Sequence, residues 1–292
     1  MNLYIIIACH NRRDSTLRCI QSAHDAARKA GLNMRITLYD DGSHDSTAES
    51  VSAQFPDTAI LAGTGSEFWA KSMAIAEASV LKTIRRDNKE NPFVVWLNDD
   101  VVLDVDAFER LHELSLKNPG QILVGAMRDP LTSEVTYSGL RRSGLHPLSF
   151  ETYPMSSVPE PVETFNGNLV LVPASAAEKI GGIDGGYSHA LADIDYGLRA
   201  AAKSIGAKLA PGSLGTCARN PVPPSQPLAT QWKHFVGPKG AGNPKSMMKI
   251  LRLAAPRSWV VYYVATYGLW WARRICGSFF RVVLSRRSKQ TS

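Results

Sequence analysis

The chain has 292 residues, long enough for one large domain or two with a substantial core. Its 44% hydrophobic and 20% charged residues exclude a disordered or fibrous chain and are ordinary for a folded cytosolic protein. Charge is split: residues 1–195 hold all 26 acidic groups against 17 basic ones, net −9, and the 16 basic residues from Tyr196 onward meet no acid. A basic end implies an anionic partner: a phosphate-bearing substrate, an acidic lipid surface or a nucleic acid.

The four cysteines, Cys9, Cys19, Cys217 and Cys276, are scattered, which argues against a zinc site or a disulfide framework. The N-terminal Leu3–Ala8 run lacks a basic lead and a small-residue cleavage site, so it reads as a strand rather than a signal peptide, and a cytoplasmic protein is expected. That first strand runs into Cys9-His10-Asn11-Arg12, then a helical pattern through Leu17, Ile20 and Ala23. Met34–Tyr39 is a second strand ending in Asp40-Asp41-Gly42-Ser43, with a capped helix from about Thr47. Ala59–Leu61 is a short third strand. It leads to Gly63-Thr64-Gly65, whose glycines permit close backbone approach to a ligand, and to Lys71, placed to reach a phosphate. A helix over Met73–Ile84 follows.

Phe93–Leu97 is an apolar run of strand length, typical of a strand buried on both faces, that ends in Asn98-Asp99-Asp100. Ligands of parallel sheets bind at the carboxyl ends of the strands, and adjacent carboxylates there suit Mg²⁺ or Mn²⁺ completed by substrate phosphates. A polar turn with two solvated acids is the plainer alternative. Strand, loop and helix alternate to this point, which predicts parallel strands with right-handed crossovers. Beyond it the pattern gives a helix over Val105–Lys117, a strand over Gln121–Ala126, an edge strand at Val135–Tyr137, and an irregular Ser- and Pro-rich loop over residues 140–162. Phe165-Asn166-Gly167-Asn168 precedes the apolar run Leu169–Pro173 and a helix to Ile180. Asp193 and Asp195 then open a helix carrying Leu198 and Ala201, where negative charge is favoured. Arg199, one turn on, suits a plain helical salt bridge with either acid.

Taken together, Ile7–Arg12, Asp40–Thr47, Asn98-Asp99-Asp100 and Asp193–Arg199 occur in the order and spacing of inverting nucleotide-sugar glycosyltransferases. The chain resembles glycosyltransferase family 2, with the GT-A fold: an α/β, Rossmann-like, mostly parallel sheet flanked by helices. Gly65–Trp69 and Phe165–Asn168 are similar to its bacterial rhamnosyltransferase and galactofuranosyltransferase branch. The resemblance covers roughly residues 3–215.

It implies that Ala8, His10 and Arg12 line the nucleotide, that Asp40 or Asp41 contacts base or ribose, and that Asp99 faces ribose and diphosphate, with Asn98 and Gly65 on the same donor side. Asp100, with Asp99, would hold the metal, and Asp193 would be the general base. Trp69, Asn166, Gly167 and Asp195 fall on the acceptor side. The chain departs from the family pattern at Asn98, where an Asp is usual, and at Ala192, where an acid often precedes the base. The expected reaction is displacement at the anomeric carbon of a dTDP- or UDP-linked sugar by a glycan or glycolipid hydroxyl, in bacterial cell-surface polysaccharide synthesis.

The expected division is a catalytic domain over residues 1–225, its nucleotide-sugar half about 1–127 and its acceptor half about 128–225, followed by a basic, aromatic-rich helical tail over 226–292. His234 is a candidate metal ligand, though a single histidine is more often structural. Trp259–Trp271 is short of the ~20 apolar residues of a spanning helix. Its Tyr and Trp clusters, followed by Arg273, Arg274, Arg281, Arg286 and Arg287, suit an interfacial helix on the inner membrane surface, or else an arm packed on a partner subunit. Competing functions are a metal-dependent nucleotidyltransferase, which leaves Asp193 and Asp195 unexplained, and an adaptor for membranes or nucleic acid. The tail has no recognisable nucleic-acid module, and no nucleic-acid partner is expected.

Overall fold

The computed structural model describes residues 1–219 and 226–288. The expected domain boundary at 225 lies outside the described residues, as do the side chains of Arg281, Arg286 and Arg287. The first half alternates as the pattern requires: β1 (Asn2–Cys9), α1 (Arg13–Ala30), β2 (Asn33–Asp40), α2 (Thr47–Gln54), β3 (Ala59–Ala62), α3 (Phe68–Asp87) and β4 (Pro92–Leu97). There follow β5 (Val102–Leu103), α4 (Ala107–Lys117), β6 (Ile122–Arg128), β7 (Val135–Tyr137), β8 (Gly139–Arg142), β9 (Phe150–Thr152), β10 (Glu160–Val162) and β11 (Thr164–Phe165). The chain continues through β12 (Leu169–Pro173), α5 (Ala174–Ile180), α6 (Ala192–Ala202), β13 (Ala207–Thr216), α7 (Leu228–Val236), α8 (Pro244–Ala254) and α9 (Trp259–Ser288).

The main sheet runs β10-β13-β6-β12-β4-β1-β2-β3. Strands β3, β2, β1 and β4 are parallel, and β12 enters antiparallel between β4 and β6, pairing Leu169 with Leu97. Sterics of the pleat send alternate residues to opposite faces, so β1 feeds two cores. Tyr4 and Ile6 join Val94, Trp96 and Val170 under α3 and α6, while Leu3, Ile5 and Ile7 join Val95, Leu97 and Leu171 under α1 and α4. That is why β1 and β4 read as unbroken apolar runs.

Two parts of the architecture differ from the sequence reading. Residues 140–162 are not an irregular loop: β8 pairs with β9 and β11 in a small antiparallel sheet, and β10 borders the main sheet beside β13. Strands of two to four residues show no readable period. The ten-residue β13 was likewise hidden, because Pro211, Gly212 and Gly215 interrupt its pattern and its register shifts twice against β6.

The tail folds back. Met247, Ile250 and Leu251 of α8 are buried in the core beneath α3 and α6, and Trp259, Tyr262, Tyr263 and Tyr267 of α9 pack against it. Trp270 and Trp271 lie 5.0 and 5.2 Å from Trp232 of α7, centroid to centroid. The aromatic residues expected to face lipid therefore turn inward. No helix among the described residues is long and apolar enough to cross a membrane.

Glu77 of α3 is fully buried in this core, accepting hydrogen bonds from the Ile183 amide and the Tyr196 hydroxyl, and burial pushes its carboxyl up to about 7. A carboxyl raised in the fold binds more protons native than unfolded. Its contribution is therefore fully present below pH 4.5 and lost as pH rises through about 7. Urea unfolding of Glu77→Gln should show the variant gaining on the wild type between pH 4.5 and 8, by at most about 3 kcal/mol.

Candidate active site

The carboxyl ends of β1, β2 and β4 meet in a cleft of about 510 Å³. After β1 the chain turns at Asn11, whose left-handed φ of 52° the short Asn side chain tolerates, and Arg12 swings across to β4. Its Nη1 donates to Asp99 Oδ1 at 3.1 Å and to Asp100 Oδ2 at 2.8 Å. Asp99 is buried and Asp100 only partly so. Burial pushes the Asp99 carboxyl up to about 7 against the opposing pull of Arg12.

The end of β2 is organised by Asp41. Its carboxylate accepts from the amides of Gly65 (2.8 Å), Glu67 (3.3 Å) and Phe68 (2.9 Å), satisfying free N–H groups at the start of α3. Gly63 has no room for a Cβ, which would sit 2.7 Å from Asp41 Oδ1, and Gly65 holds φ +89°. His10 Nδ1 lies 2.6 Å from the Asp41 carbonyl, closing the β1 and β2 loops on each other.

Trp69 forms the opposite wall. Its Nε1 donates to Asn98 Oδ1 at 2.8 Å, and its ring stands edge-on to Trp96 at 6.1 Å. Behind it, Asp193 projects from the first turn of α6 and accepts from the amides of Gly167 (3.2 Å) and Ile194 (2.8 Å). Burial raises its pKa while these two N–H groups lower it, and burial prevails. Phe68 and Leu191, which open α3 and α6 at the cleft, hold left-handed φ values of 54° and 79°. For such residues that conformation costs on the order of 1–3 kcal/mol each and collects at functional sites.

The cleft thus gathers Ala8, His10, Arg12, Asp41, Gly65, Trp69, Asn98, Asp99, Asp100, Asn166, Gly167 and Asp193 from the sequence-derived candidates. Four candidates lie elsewhere. Asp40 folds its carboxylate onto the Ser43 amide (2.8 Å), which is turn chemistry rather than ligand contact. Lys71 pairs with Glu67 (3.5 Å) on the exposed side of α3. Asp195 is buried between Tyr187 Oη (2.9 Å) and Arg199 Nε (2.6 Å), the plain helical salt bridge, because residues two apart on a helix point to opposite sides. His234 is exposed on α7.

Several lining residues went unread, among them Ser72, His189 and Lys239. Lys239 lies 5.8 Å over the Phe68 ring, and His189 stands edge-on to that ring at 6.4 Å. Burial, then Lys239 and Arg12, lower the His189 pKa. Cys217 donates to Asp100 Oδ1 at 3.4 Å, a contact that only the fold creates. A second hollow of about 840 Å³ shares Arg12 and Asp100 with the cleft and adds Arg13, Arg18 and Arg219.

Among the described residues no three His, Cys, Asp or Glu side chains form a metal-holding group. The donor set still fits a hard divalent cation of the open kind, which takes one or two carboxylates and fills its shell with substrate phosphates. Asp100 reaches the cleft with a partly exposed carboxylate, and Asp99 beside it keeps its pKa raised even with Arg12 in contact.

The glycosyl transferase family 2 profile matches residues 4–181, more than half of the sequence. The chain belongs to glycosyltransferase family 2. Solved structures with its fold are GT-A glycosyltransferases. S. aureus TarS, residues 1–349, is 12% identical with a TM-score of 0.56, over 87% of this chain and 64% of that one. GalNAc-T7 with UDP, GalNAc and Mn²⁺ is 12% identical at 0.66, over 92% and 50%. The Pyrobaculum calidifontis mannosyltransferase PcManGT with GDP-Man and Mn²⁺ is 14% identical at 0.54, over 91% and 69%. This chain therefore spans about half to two thirds of those chains. No curated protein matches it.

A Cβ at Gly167 would lie 2.7 Å from Trp69 Cζ2, and that ring is fixed by Asn98. Gly167→Ala should displace the indole, changing tryptophan fluorescence and lowering stability by about 1–3 kcal/mol in urea unfolding.

Proposed function

We propose that this family 2 glycosyltransferase moves a sugar from a dTDP- or UDP-linked donor, by inversion, onto a glycan or lipid-linked acceptor of bacterial cell-surface polysaccharide synthesis. The acceptor is held at the cytoplasmic face of the inner membrane. The observation carrying this reading is that Asp193 shares one cleft with the Arg12–Asp99–Asp100 cluster although nearly one hundred residues of sequence separate Asp100 from Asp193. One carboxylate is held by backbone amides alone and can accept a proton; the other two are bound to a cation.

In this reading Asp41 and the amides it organises receive the base, and Ala8 and His10 line the nucleoside. Arg12 and Lys239 meet the diphosphate. Asp99 and Asp100 would hold Mg²⁺ or Mn²⁺, which when bound neutralises charge on the departing diphosphate. Trp69, Asn166 and Gly167 shape the acceptor side, and Asp193 takes the proton from the acceptor hydroxyl. GalNAc-T7 with UDP, GalNAc and Mn²⁺, and PcManGT with GDP-Man and Mn²⁺, support the metal and the nucleotide-sugar class without choosing the base or sugar.

The deciding experiment is thermal stabilisation by nucleoside diphosphates and nucleotide sugars with and without Mn²⁺ or Mg²⁺. A metal-dependent shift with UDP or dTDP that Asp100→Ala abolishes supports the reading; no shift with any nucleotide in folded protein overturns it. A second outcome concerns acidity. Catalysis requires ionised Asp193, so kcat/KM should fall as pH drops through a pKa lying above the 3.8 of an ordinary aspartate. Asp193→Asn should lose about 10³-fold in kcat, measured by sugar transfer, while nucleotide affinity stays within about threefold.

A further inference from the structure

We propose that α9 seats the molecule on an anionic lipid leaflet through an outward aliphatic stripe, with its aromatic residues held inside as the anchor to the catalytic core. This deepens the membrane-side placement proposed above and needs nothing from the transferase chemistry. At about 100° per residue, Val260, Val261, Val264, Gly268, Ala272 and Ile275 fall within a sector of about 120°. All of them are exposed, Val261 at 68% and Val264 at 64%. Trp259, Tyr262, Tyr263 and Tyr267 occupy the opposite sector and pack on the core.

The helix therefore has a rigid buried side and an uncovered apolar side, and charge decides what covers the latter. Arg274, exposed with its guanidinium 5.3 Å over the Trp270 ring, sits at one border of the stripe, and Arg273 is exposed on the far side of the same turn. No acidic residue follows Asp195 anywhere in the sequence. A second copy of this surface would bring like charges together, whereas a leaflet containing anionic lipid attracts them at about 1 kcal/mol per basic residue near the surface. A helix of this composition lies in the interface plane rather than spanning it.

The stripe is also tied to the cleft. Tyr267 Oη donates to the Gly242 carbonyl at 2.9 Å, and the segment ending there supplies Lys239 and Ala241 to the cleft wall. Seating α9 on lipid thus holds that wall behind the helix, one helix diameter (~10 Å) from the surface where a lipid-linked acceptor resides.

The test is sedimentation of the full chain with vesicles of phosphatidylcholine alone or with about one third phosphatidylglycerol, at low and high salt. Wild type should sediment with the anionic vesicles only, and less at high salt. Val261→Asp with Val264→Asp should weaken this at least tenfold, and Arg274→Glu should weaken it severalfold. Unchanged thermal unfolding and nucleotide-induced stabilisation certify that each variant is folded. Wild type that ignores anionic vesicles, or a folded double variant that binds them like wild type, overturns the proposal. So does a concentration-dependent dimer, seen by light scattering, that the double variant abolishes. Vesicle binding by a protein that transfers no sugar would leave this inference standing and remove the other.

Discussion

The two adjacent carboxylates at the end of β4 are held by one cation, Arg12. Its guanidinium crosses from the end of β1 to Asp99 and Asp100 at the end of β4, two strands that lie side by side in the sheet. The contact fixes the β1 loop, which in turn is closed on the β2 loop through His10. Asp41 then fastens that loop to the start of α3. The cleft is thus a chain of charge-assisted and backbone hydrogen bonds hung on three parallel strands. Burial still holds the Asp99 carboxyl up at about 7 against that contact.

Much of this was legible because the strand-end side of the cleft is local in sequence. Each carboxylate or glycine follows directly on an apolar run, so strand-end chemistry could be read without a fold. Asp195 shows where that stops: it and Asp193 are equally acidic and equally near a helix start, and only the helical angle between them separates a cleft group from a core ion pair. Lys239 and Ser72 had no local signal either. Lys239 reaches the cleft because Met247, Ile250 and Leu251 anchor the following helix in the core, and Ser72 is one more small residue on a helix until its hydroxyl is found without a partner. The short strands of residues 140–162 and the interrupted β13 exist through pairing with distant partners, which no window of sequence contains.

The tail illustrates a different limit. Its composition signalled amphipathicity, yet composition cannot say which side is already occupied. The aromatic side, richest in Trp and Tyr, is taken up by Trp232, Phe235 and the core, and the plainer valine side is left outward.

The antiparallel entry of β12 between β4 and β6 decides what the second half of the chain brings to the cleft. Because β12 runs against its neighbours, the Asn166–Asn168 segment that precedes it arrives at the same sheet edge as Asn98, joined by the Asn98 amide to the Asn168 carbonyl at 3.0 Å. The second half of the chain thereby brings Asn166 and Gly167 to the cleft that the ends of β1, β2 and β4 already line. Because β12 and β4 are paired over five residues, a shift of that segment is passed straight to the strand carrying Asp99 and Asp100, so the two walls of the cleft move as one body.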